Sequence, residues 1–413
     1  MSQLETQSLR LLNKMLGSLV KKGSLILVDA AGGRHIHGDG TGADLVIKLH
    51  DATLYRKLFL NPELIAGEAY MDETLTFEEG SVRDLLALFH MNSKDFRRQG
   101  LRRIMGKGVL TLKRLQQHNS VARSRANVAH HYDLSNDFYK LFLDEGMNYS
   151  CAYFADDKMT LEEAQEAKLR HIAAKLHLEP GMSVLDIGCG WGGMSIYLAK
   201  NFDVKVVGVT LSEEQLRLAN ERAKQEGVAD RVEFRLCDYR HVPDKFERFV
   251  SIGMFEHVGV PQFGFFFDKI REILTDDGFG LLHSIGTQKG PGVTGPWIRK
   301  YIFPGGYSPA VSETFKAIEA SGLWATDMEI LRIHYAKTLA EWERRFQANR
   351  EKAAELFDER FCRMWEFYLS TAEFAFRHGG NMNFQIQIAK NVDAVPLTRD
   401  YMRKNEKALM KNI

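Results

Sequence analysis

Several features are scarce or missing in this 413-residue chain, and each absence closes a class of explanation. Cysteines are few: Cys151, Cys189, Cys237 and Cys362 are the four, and no two stand in a C-x-x-C spacing. A zinc site or a redox pair therefore has no basis in the sequence, no metal is expected, and a reducing compartment is the default. No apolar run reaches the ~18 residues of a membrane-spanning helix. Glu5 and Arg10 interrupt the apolar residues near the N-terminus, so a signal peptide is not expected. Neither sign of charge dominates: 55 Lys and Arg stand against 54 Asp and Glu, a net of +1, which argues against a globally basic nucleic-acid binder. What remains is the composition of a folded globular protein, 45% hydrophobic, long enough for two domains and expected in the cytoplasm.

The most informative stretch is Val184-Leu185-Asp186-Ile187-Gly188-Cys189-Gly190-Trp191-Gly192-Gly193. It reads as a buried strand, a glycine turn and the start of a helix through Met194, Ile196, Tyr197 and Leu198. Gly188 and Gly190 allow a sharp turn and close approach of a ligand. An ordinary strand-to-helix connection would look similar, so the turn needs support from its neighbours. It is not a phosphate loop, because no Gly-Lys-Ser/Thr follows the glycines. The dinucleotide pattern fits loosely, but the second strand, 204–209, ends in Thr210-Leu211-Ser212 without the carboxylate that holds a nicotinamide ribose. Asp186, at the strand end beside the turn, suits a cationic ligand such as the amino group of S-adenosylmethionine.

Taken in order, residues 8–20 carry Leu9, Leu12, Met15 and Leu19 at helical spacing. Strands are expected over 24–28 and 43–49, turns at Gly32-Gly33 and Gly38-Asp39-Gly40, and helices over 54–60 and 81–90. These make a small N-terminal α/β or α+β domain, 1–93. Glu68, Asp72 and Glu73 are expected in a solvated turn. The stretch 94–126 is a basic linker: Lys94, Arg97, Arg98, Arg102, Arg103, Lys107, Lys113, Arg114, Arg123 and Arg125 face the single acid Asp95, with Phe96, Leu101, Ile104, Leu110 and Leu112 interleaved. Such a stretch suits an anionic membrane surface, where each Lys or Arg contributes roughly 1 kcal/mol. A solvated linker helix is the plain alternative. No aromatic stacking platform supports nucleic acid.

The second domain, 127–413, opens with Ala129-His130-His131-Tyr132-Asp133 and a helix capped by Ser135 or Asn136. Helices over 161–176, 212–227 and 262–274 alternate with strands over 232–236, 249–253 and 280–285. This alternation predicts an α/β fold with a doubly wound parallel sheet. Asp238 and Glu256 fall at strand C-terminal ends, where such sheets bind ligands. A long helical region, 338–378, carries an aromatic stripe read as core, and 386–389 is a final strand. Cys151, among aromatics, reads by itself as a small buried residue.

Together, His131-Tyr132-Asp133, Tyr149-Ser150-Cys151-Ala152-Tyr153, the glycine turn, Thr210-Leu211-Ser212-Glu213-Glu214-Gln215, Phe255-Glu256-His257, His283-Ser284-Ile285 and His334-Tyr335-Ala336 resemble the motifs of the cyclopropane fatty acyl phospholipid synthases. This S-adenosylmethionine-dependent, lipid-modifying family includes the mycolic acid cyclopropane synthases. The resemblance implies a Rossmann-like class I methyltransferase domain. It implies that Tyr149, Ser150, Gly188, Gly190, Thr210, Leu211 and Gln215 hold S-adenosylmethionine, with Tyr239 and Arg240 beside the adenine; Asp186, Cys189 and Asp238, at the same strand ends and turn, are expected to join them. It also implies a bound bicarbonate held by Cys151, Glu256, His283, Ile285 and Tyr335. The N-terminal domain looks like that of the phospholipid-acting members, so unsaturated phospholipid acyl chains are the expected substrate. A homodimer attached peripherally to the inner face of the cell membrane is implied as well.

The implied chemistry suits these residue types. An alkene is a weak nucleophile and must be held in line with the sulfonium methyl. Methyl transfer leaves a carbocation on the lipid, which aromatic faces stabilise by roughly 0.5–2 kcal/mol each. A base held within hydrogen-bond reach then removes a proton and the ring closes. Deprotonation elsewhere would give a methyl or methylene branch, so a fatty-acid C-methyltransferase is the alternative enzyme. A non-catalytic lipid-binding protein is the alternative from another class; it would show a degraded glycine turn or no Glu256, and neither is seen.

Overall fold

The computed structural model describes residues 2–93 and 135–410. The basic stretch 94–126 and the His131-Tyr132-Asp133 motif lie outside the described residues. The chain forms two compact units.

The first unit holds a four-stranded sheet of β1 (Ser24–Val28), β2 (Arg34–Gly38), β3 (Asp44–Leu49) and β4 (Leu75–Glu79) in the order β2-β1-β3-β4. β1 and β3 run parallel; the other pairs are antiparallel. Helix Gln3–Leu19, opened by a Ser2/Glu5 capping box, sends Leu9, Leu12 and Leu16 into a core shared with Leu25, Leu27, Tyr55 and Leu58. The sequence reading omitted β2, β4 and helix Pro62–Met71. It also placed every segment after residue 126 in the second domain. The compact unit instead takes in Thr294–Pro304 and Phe346–Gly379. Charge pairs accompany this packing. Glu68 accepts from Lys300 Nζ at 2.5 Å and from the Tyr301 hydroxyl at 2.9 Å, Arg360 meets Asp72 at 2.7 Å, and Arg363 pairs with Glu73. Tyr70 donates to Glu366 at 3.1 Å. The acids expected in a solvated turn therefore stand on and just after a helix, each with a cationic partner distant in sequence.

The second unit is built on a seven-stranded sheet, ordered β10-β11-β9-β8-β5-β6-β7. Its strands are β5 (Ser183–Ile187), β6 (Lys205–Thr210), β7 (Val232–Leu236), β8 (Phe246–Ile252), β9 (Leu274–Thr287), β10 (Trp324–Ile330) and β11 (Asn381–Ala389). Five are parallel, and β11 and β10 add antiparallel to the β9 edge. Side chains alternate between two cores. Leu185, Ile187 and Phe249 join Phe266, Phe267 and Ile270 of helix Phe263–Ile273 on one face. Val184, Val206 and Val250 meet Ile172, Leu198 and Ala219 from helices Leu161–Leu176, Gly193–Asn201 and Glu213–Gln225 on the other. Each fully buried Leu or Phe contributes roughly 1.5–3 kcal/mol, so this two-faced sheet is the rigid base of the unit. Strand order reverses at β5, and its C-terminal end is therefore the topological switch point.

The long helical region resolves into His334–Ala348, Arg350–Leu356 and Glu359–Arg377. Phe357 leaves helical geometry, and Asp358 starts the last helix by accepting from the Phe361 N–H at 2.6 Å. Helices Val311–Ser321 and Asp400–Met410 and strand β10 were not anticipated.

Candidate active site

β5 delivers the chain to the glycine turn. Gly188 and Gly190 have φ of +80° and +55°, the left-handed region. Both the Gly188 and Cys189 N–H groups donate to Val209 O of β6 at 3.0 Å, which ties the turn to the neighbouring strand. A Cβ on Gly188 would stand 2.8 Å from Met254 Cβ, so the turn and the end of β8 pack backbone to side chain.

A cavity opens beyond the C-terminal ends of β5, β6, β7 and β8. Each of the twelve residues expected to hold the methyl donor lines it: Tyr149, Ser150, Asp186, Gly188, Cys189, Gly190, Thr210, Leu211, Gln215, Asp238, Tyr239 and Arg240. Burial pushes the Asp186 carboxyl up to about 6, while the Ser195 hydroxyl, donating at 2.7 Å, and the Lys168 charge pull the other way. Burial would also raise Asp238, yet two guanidinium hydrogen bonds from Arg240, at 2.8 and 2.7 Å, hold it below the usual carboxylate range. Thr210 donates to Gln215 Oε1 at 2.8 Å, and Ser212 caps the following helix by accepting from the Gln215 N–H. The mouth therefore presents one charged pair, one buried acid of intermediate acidity and two tyrosines.

Sequence reasoning missed Lys168, which also lines the cavity and is buried. Its Nζ donates to Asn148 Oδ1 and Ser150 Oγ, both at 3.1 Å, and so fixes the loop that carries Tyr149 and Cys151. Gln165, one turn earlier, donates to the carbonyls of Asn148 and Ser150 at 3.2 and 2.9 Å. Burial pushes Lys168 down to about 8 against the opposing pull of Asp144, Cys151 and Asp186. The available signal was the recurrence of Gln165, Lys168, His171 and Lys175 at helical spacing beside Ala164, Ile172 and Leu176. A lysine in a helix usually faces solvent, so the recurrence alone does not single out Lys168.

None of the five residues assigned to bicarbonate is among those lining this cavity. Glu256 follows β8 in a single turn, Phe255–His257. Its Oε1 accepts from the Ile285 N–H at 2.6 Å, and its Oε2 is buried without a hydrogen-bond partner. Burial pushes this carboxyl up to about 7. His283 stands two residues before Ile285 in β9, is buried, and is neutral: burial and the nearby Lys168, Lys175 and His171 push it down to about 3. Cys151 is buried, and burial raises its thiol well above the ordinary value, so it stays protonated. The neighbouring Ala152 N–H donates to Thr338 Oγ1 at 3.0 Å, one turn along the helix from Tyr335, which meets Trp342 edge-on at 5.7 Å. The structure thus joins Glu256 to Ile285 directly, carries His283 on the same strand, and ties the loop of Cys151 to the helix that bears Tyr335. The charge of Lys168 acts on both Cys151 and His283.

Comparison with known proteins adds to this geometry. A family model described as mycolic acid cyclopropane synthetase matches residues 119–386. The chain is 39% identical, over 85% of its own length and 89% of the other's, to the cyclopropane-fatty-acyl-phospholipid synthase of Escherichia coli K12. It is 40% identical, over 67% of its length and 73% of the other's, to a probable fatty acid methyltransferase of Pseudomonas putida. Among solved structures it is similar to the mycolic acid cyclopropane synthase CmaA1 complexed with SAH and CTAB, at 35% identity and a TM-score of 0.61, covering 66% of this chain and 99% of that one.

The glycine turn yields a direct test. Gly188→Ala forces a side chain into left-handed backbone and against Met254, and we expect it to cost at least ~1–2 kcal/mol in urea unfolding. Gly264→Ala, on a helix with no atom within 4 Å of the new Cβ, should instead raise stability by ~0.5–1 kcal/mol.

Proposed function

The chain belongs to the mycolic acid cyclopropane synthetase family, and from that membership we propose that it is a cyclopropane-fatty-acyl-phospholipid synthase. It adds a methylene group across the cis double bond of unsaturated phospholipid acyl chains. The observation that carries this reading is the buried Glu256, with one oxygen on the Ile285 N–H and the other unpartnered. A carboxylate oxygen kept dry and unsatisfied costs stability, on the order of 1–3 kcal/mol, unless a ligand donates to it. Support for phospholipid comes from extent: similarity to the E. coli enzyme runs over 85% of this chain, whereas the mycolic enzyme covers 66%.

The cavity fits S-adenosylmethionine. The left-handed turn at Gly188 and Gly190 leaves no Cβ in the way, Asp186 suits the amino group, and Tyr239 and Arg240 suit the adenine. When bound, S-adenosylmethionine supplies an electrophilic methyl group. The Lys168 ammonium holds Ser150 and the Tyr149 loop in register with it. The Glu256 group fits bicarbonate. Glu256 Oε2 is positioned to accept an O–H, the protonated Cys151 thiol and neutral His283 bring no competing negative charge, and Ile285 contributes through its bond to Glu256. Tyr335 closes the set on the helix side. Together they hold a hydrogen-bond acceptor where the transferred methyl loses its proton, and Glu256 receives that proton.

A second reading, a fatty-acid C-methyltransferase forming branches, is favoured by the 40% identity to the P. putida protein. The same proposal includes a homodimer, a role in lipid binding or dimerisation for the N-terminal segment 1–93, and peripheral attachment to the inner membrane face through 94–125. No helix of the described residues is long and apolar enough to cross a membrane.

Two outcomes test the reading. Purified protein incubated with S-adenosylmethionine, bicarbonate and vesicles of monounsaturated phospholipid should add one CH₂ per acyl chain, with loss of olefinic protons and gain of cyclopropane protons by NMR. The same mass gain with a retained alkene selects the methyltransferase. Second, Glu256 is neutral below about 7 and ionised above it, and only the ionised form takes a proton. Turnover should therefore fall as pH drops through about 7, and Glu256→Gln should lower kcat by at least about 100-fold, the scale of general acid–base catalysis. A flat pH–rate profile across that range would remove Glu256 from the proton path.

A further inference from the structure

His283 reads as one member of the proposed bicarbonate set, but its surroundings specify more than its presence. In the β9–β11 ladder Gln385 lies opposite His283, and Asn383 lies opposite Ile285. Both amides reach the imidazole: Gln385 Nε2 stands 3.1 Å from Nδ1, and the Asn383 amide stands 3.3 Å from Nε2.

The Gln385 amide is not free to turn over. Lys175 Nζ donates to its Oε1 at 2.6 Å, inside the core. An ammonium has only donors, so it selects the amide oxygen. The NH₂ group is then the half that faces His283 Nδ1, and an NH₂ donates. Nδ1 must accept, so it carries no proton. Burial and the surrounding cations keep the ring neutral, which places its single proton on Nε2. That N–H needs an acceptor. The Asn383 amide supplies one when its oxygen, rather than its nitrogen, faces the ring. The same rotation accounts for Asn383 Oδ1, which otherwise is buried without a partner.

Lys175 is itself held. Its Nζ pairs with Glu329, whose same carboxylate oxygen accepts from His171 Nε2 at 2.7 Å, and His171 Nδ1 meets Glu406 at 3.1 Å. Burial would raise Glu329, but His171 and Lys175 hold it far below the usual carboxylate range, so the anion that anchors Lys175 persists. His171 and Lys175 are one helical turn apart on helix Leu161–Leu176.

We propose that Lys175, acting through Gln385, is a positioning residue that sets His283 in the Nε2–H tautomer, whose proton rests on Asn383 Oδ1 until a bound oxyanion takes that acceptor's place. A neutral donor suits a bound oxyanion, whereas an Nε2 lone pair would repel it. The tautomer follows from the hydrogen bonds alone. Its use in the reaction rests on the role proposed above for His283.

The test is ¹⁵N NMR of the full-length protein labelled at histidine, with the His283 signals identified by their loss in His283→Gln. The expected wild-type spectrum shows a protonated Nε2 and an unprotonated Nδ1. In Gln385→Glu a carboxylate, which only accepts, replaces the donor facing Nδ1. The proton should move to Nδ1, and kcat should fall at least tenfold with the KM for S-adenosylmethionine within twofold of wild type. In Lys175→Met the Gln385 amide is released, and the His283 signals should shift toward a mixture of tautomers. A protonated Nδ1 in the wild type overturns the proposal, and this spectrum decides even if a variant fails to fold. An unchanged tautomer in Gln385→Glu also overturns it. A switched tautomer with unchanged turnover supports the positioning by Lys175 and overturns the catalytic role of His283, so the two claims fail separately.

Discussion

Two lysine ammonium groups sit inside the second unit, and the site depends on how they are compensated. Taking an ammonium out of water costs several kcal/mol, and only closely placed anions and hydrogen-bond acceptors offset that cost. Lys168 meets Asn148 and Ser150 within reach of Asp144 and Asp186, while Lys175 meets Glu329 and Gln385. Both project from helix Leu161–Leu176, which buries Gln165, Lys168, His171 and Lys175 along one side. The capping box of Thr160 and Glu163 starts this helix, with bonds of 2.7 and 3.2 Å. One end of the polar stripe thus orders the loop bearing Tyr149, Ser150 and Cys151. The other end reaches His283 across the sheet. A hydrophobic helix would pack the same sheet with less strain on solvation, but it would leave loop and imidazole free to choose among orientations.

The parallel core was legible because its strands are covered on both faces and read as apolar runs. Val184 to Ile187, buried throughout, is the clearest case, while the edge strand Val232 to Leu236 showed itself by alternation; the motif residues following each strand fell at the C-terminal edge as the fold requires. β10 was not legible: Trp324, Ala325 and Thr326 are exposed, Asp327 and Glu329 interrupt any alternation, and its pairing is to β11, far along the chain. Helix Pro62–Met71 was obscured for a related reason. Asp72 and Glu73 are exposed as expected, but their pairing with Arg360 and Arg363, like that of Glu68 with Lys300, joins segments far apart in the chain. The same gap hid Lys168 and Lys175. A lysine on a helix is assigned to solvent by default, and its buried acceptors are visible only in three dimensions.

The two halves of the site divide the work. The cavity at the β5 switch point is wide enough in character to take a nucleoside ligand, with its glycine turn, its Asp238–Arg240 pair and its tyrosines. The Glu256–Ile285 pair is buried, with a single carboxylate oxygen left to satisfy. Family membership makes S-adenosylmethionine-dependent cyclopropanation the shared frame. What separates ring closure from methyl branching within that frame is where the proton leaves, and the proposed reaction takes it from the transferred methyl.

The most direct test of that claim follows the hydrogens of the transferred group. With S-adenosylmethionine carrying a fully deuterated methyl, ring closure removes one deuteron from that methyl and leaves a CD₂ bridge, read by mass spectrometry of the acyl chains. The account predicts CD₂ retention in the product, with the deuteron lost to solvent. An intact CD₃ in the product acyl chains would contradict it, because the proton would then have left from the lipid and the enzyme would form branches.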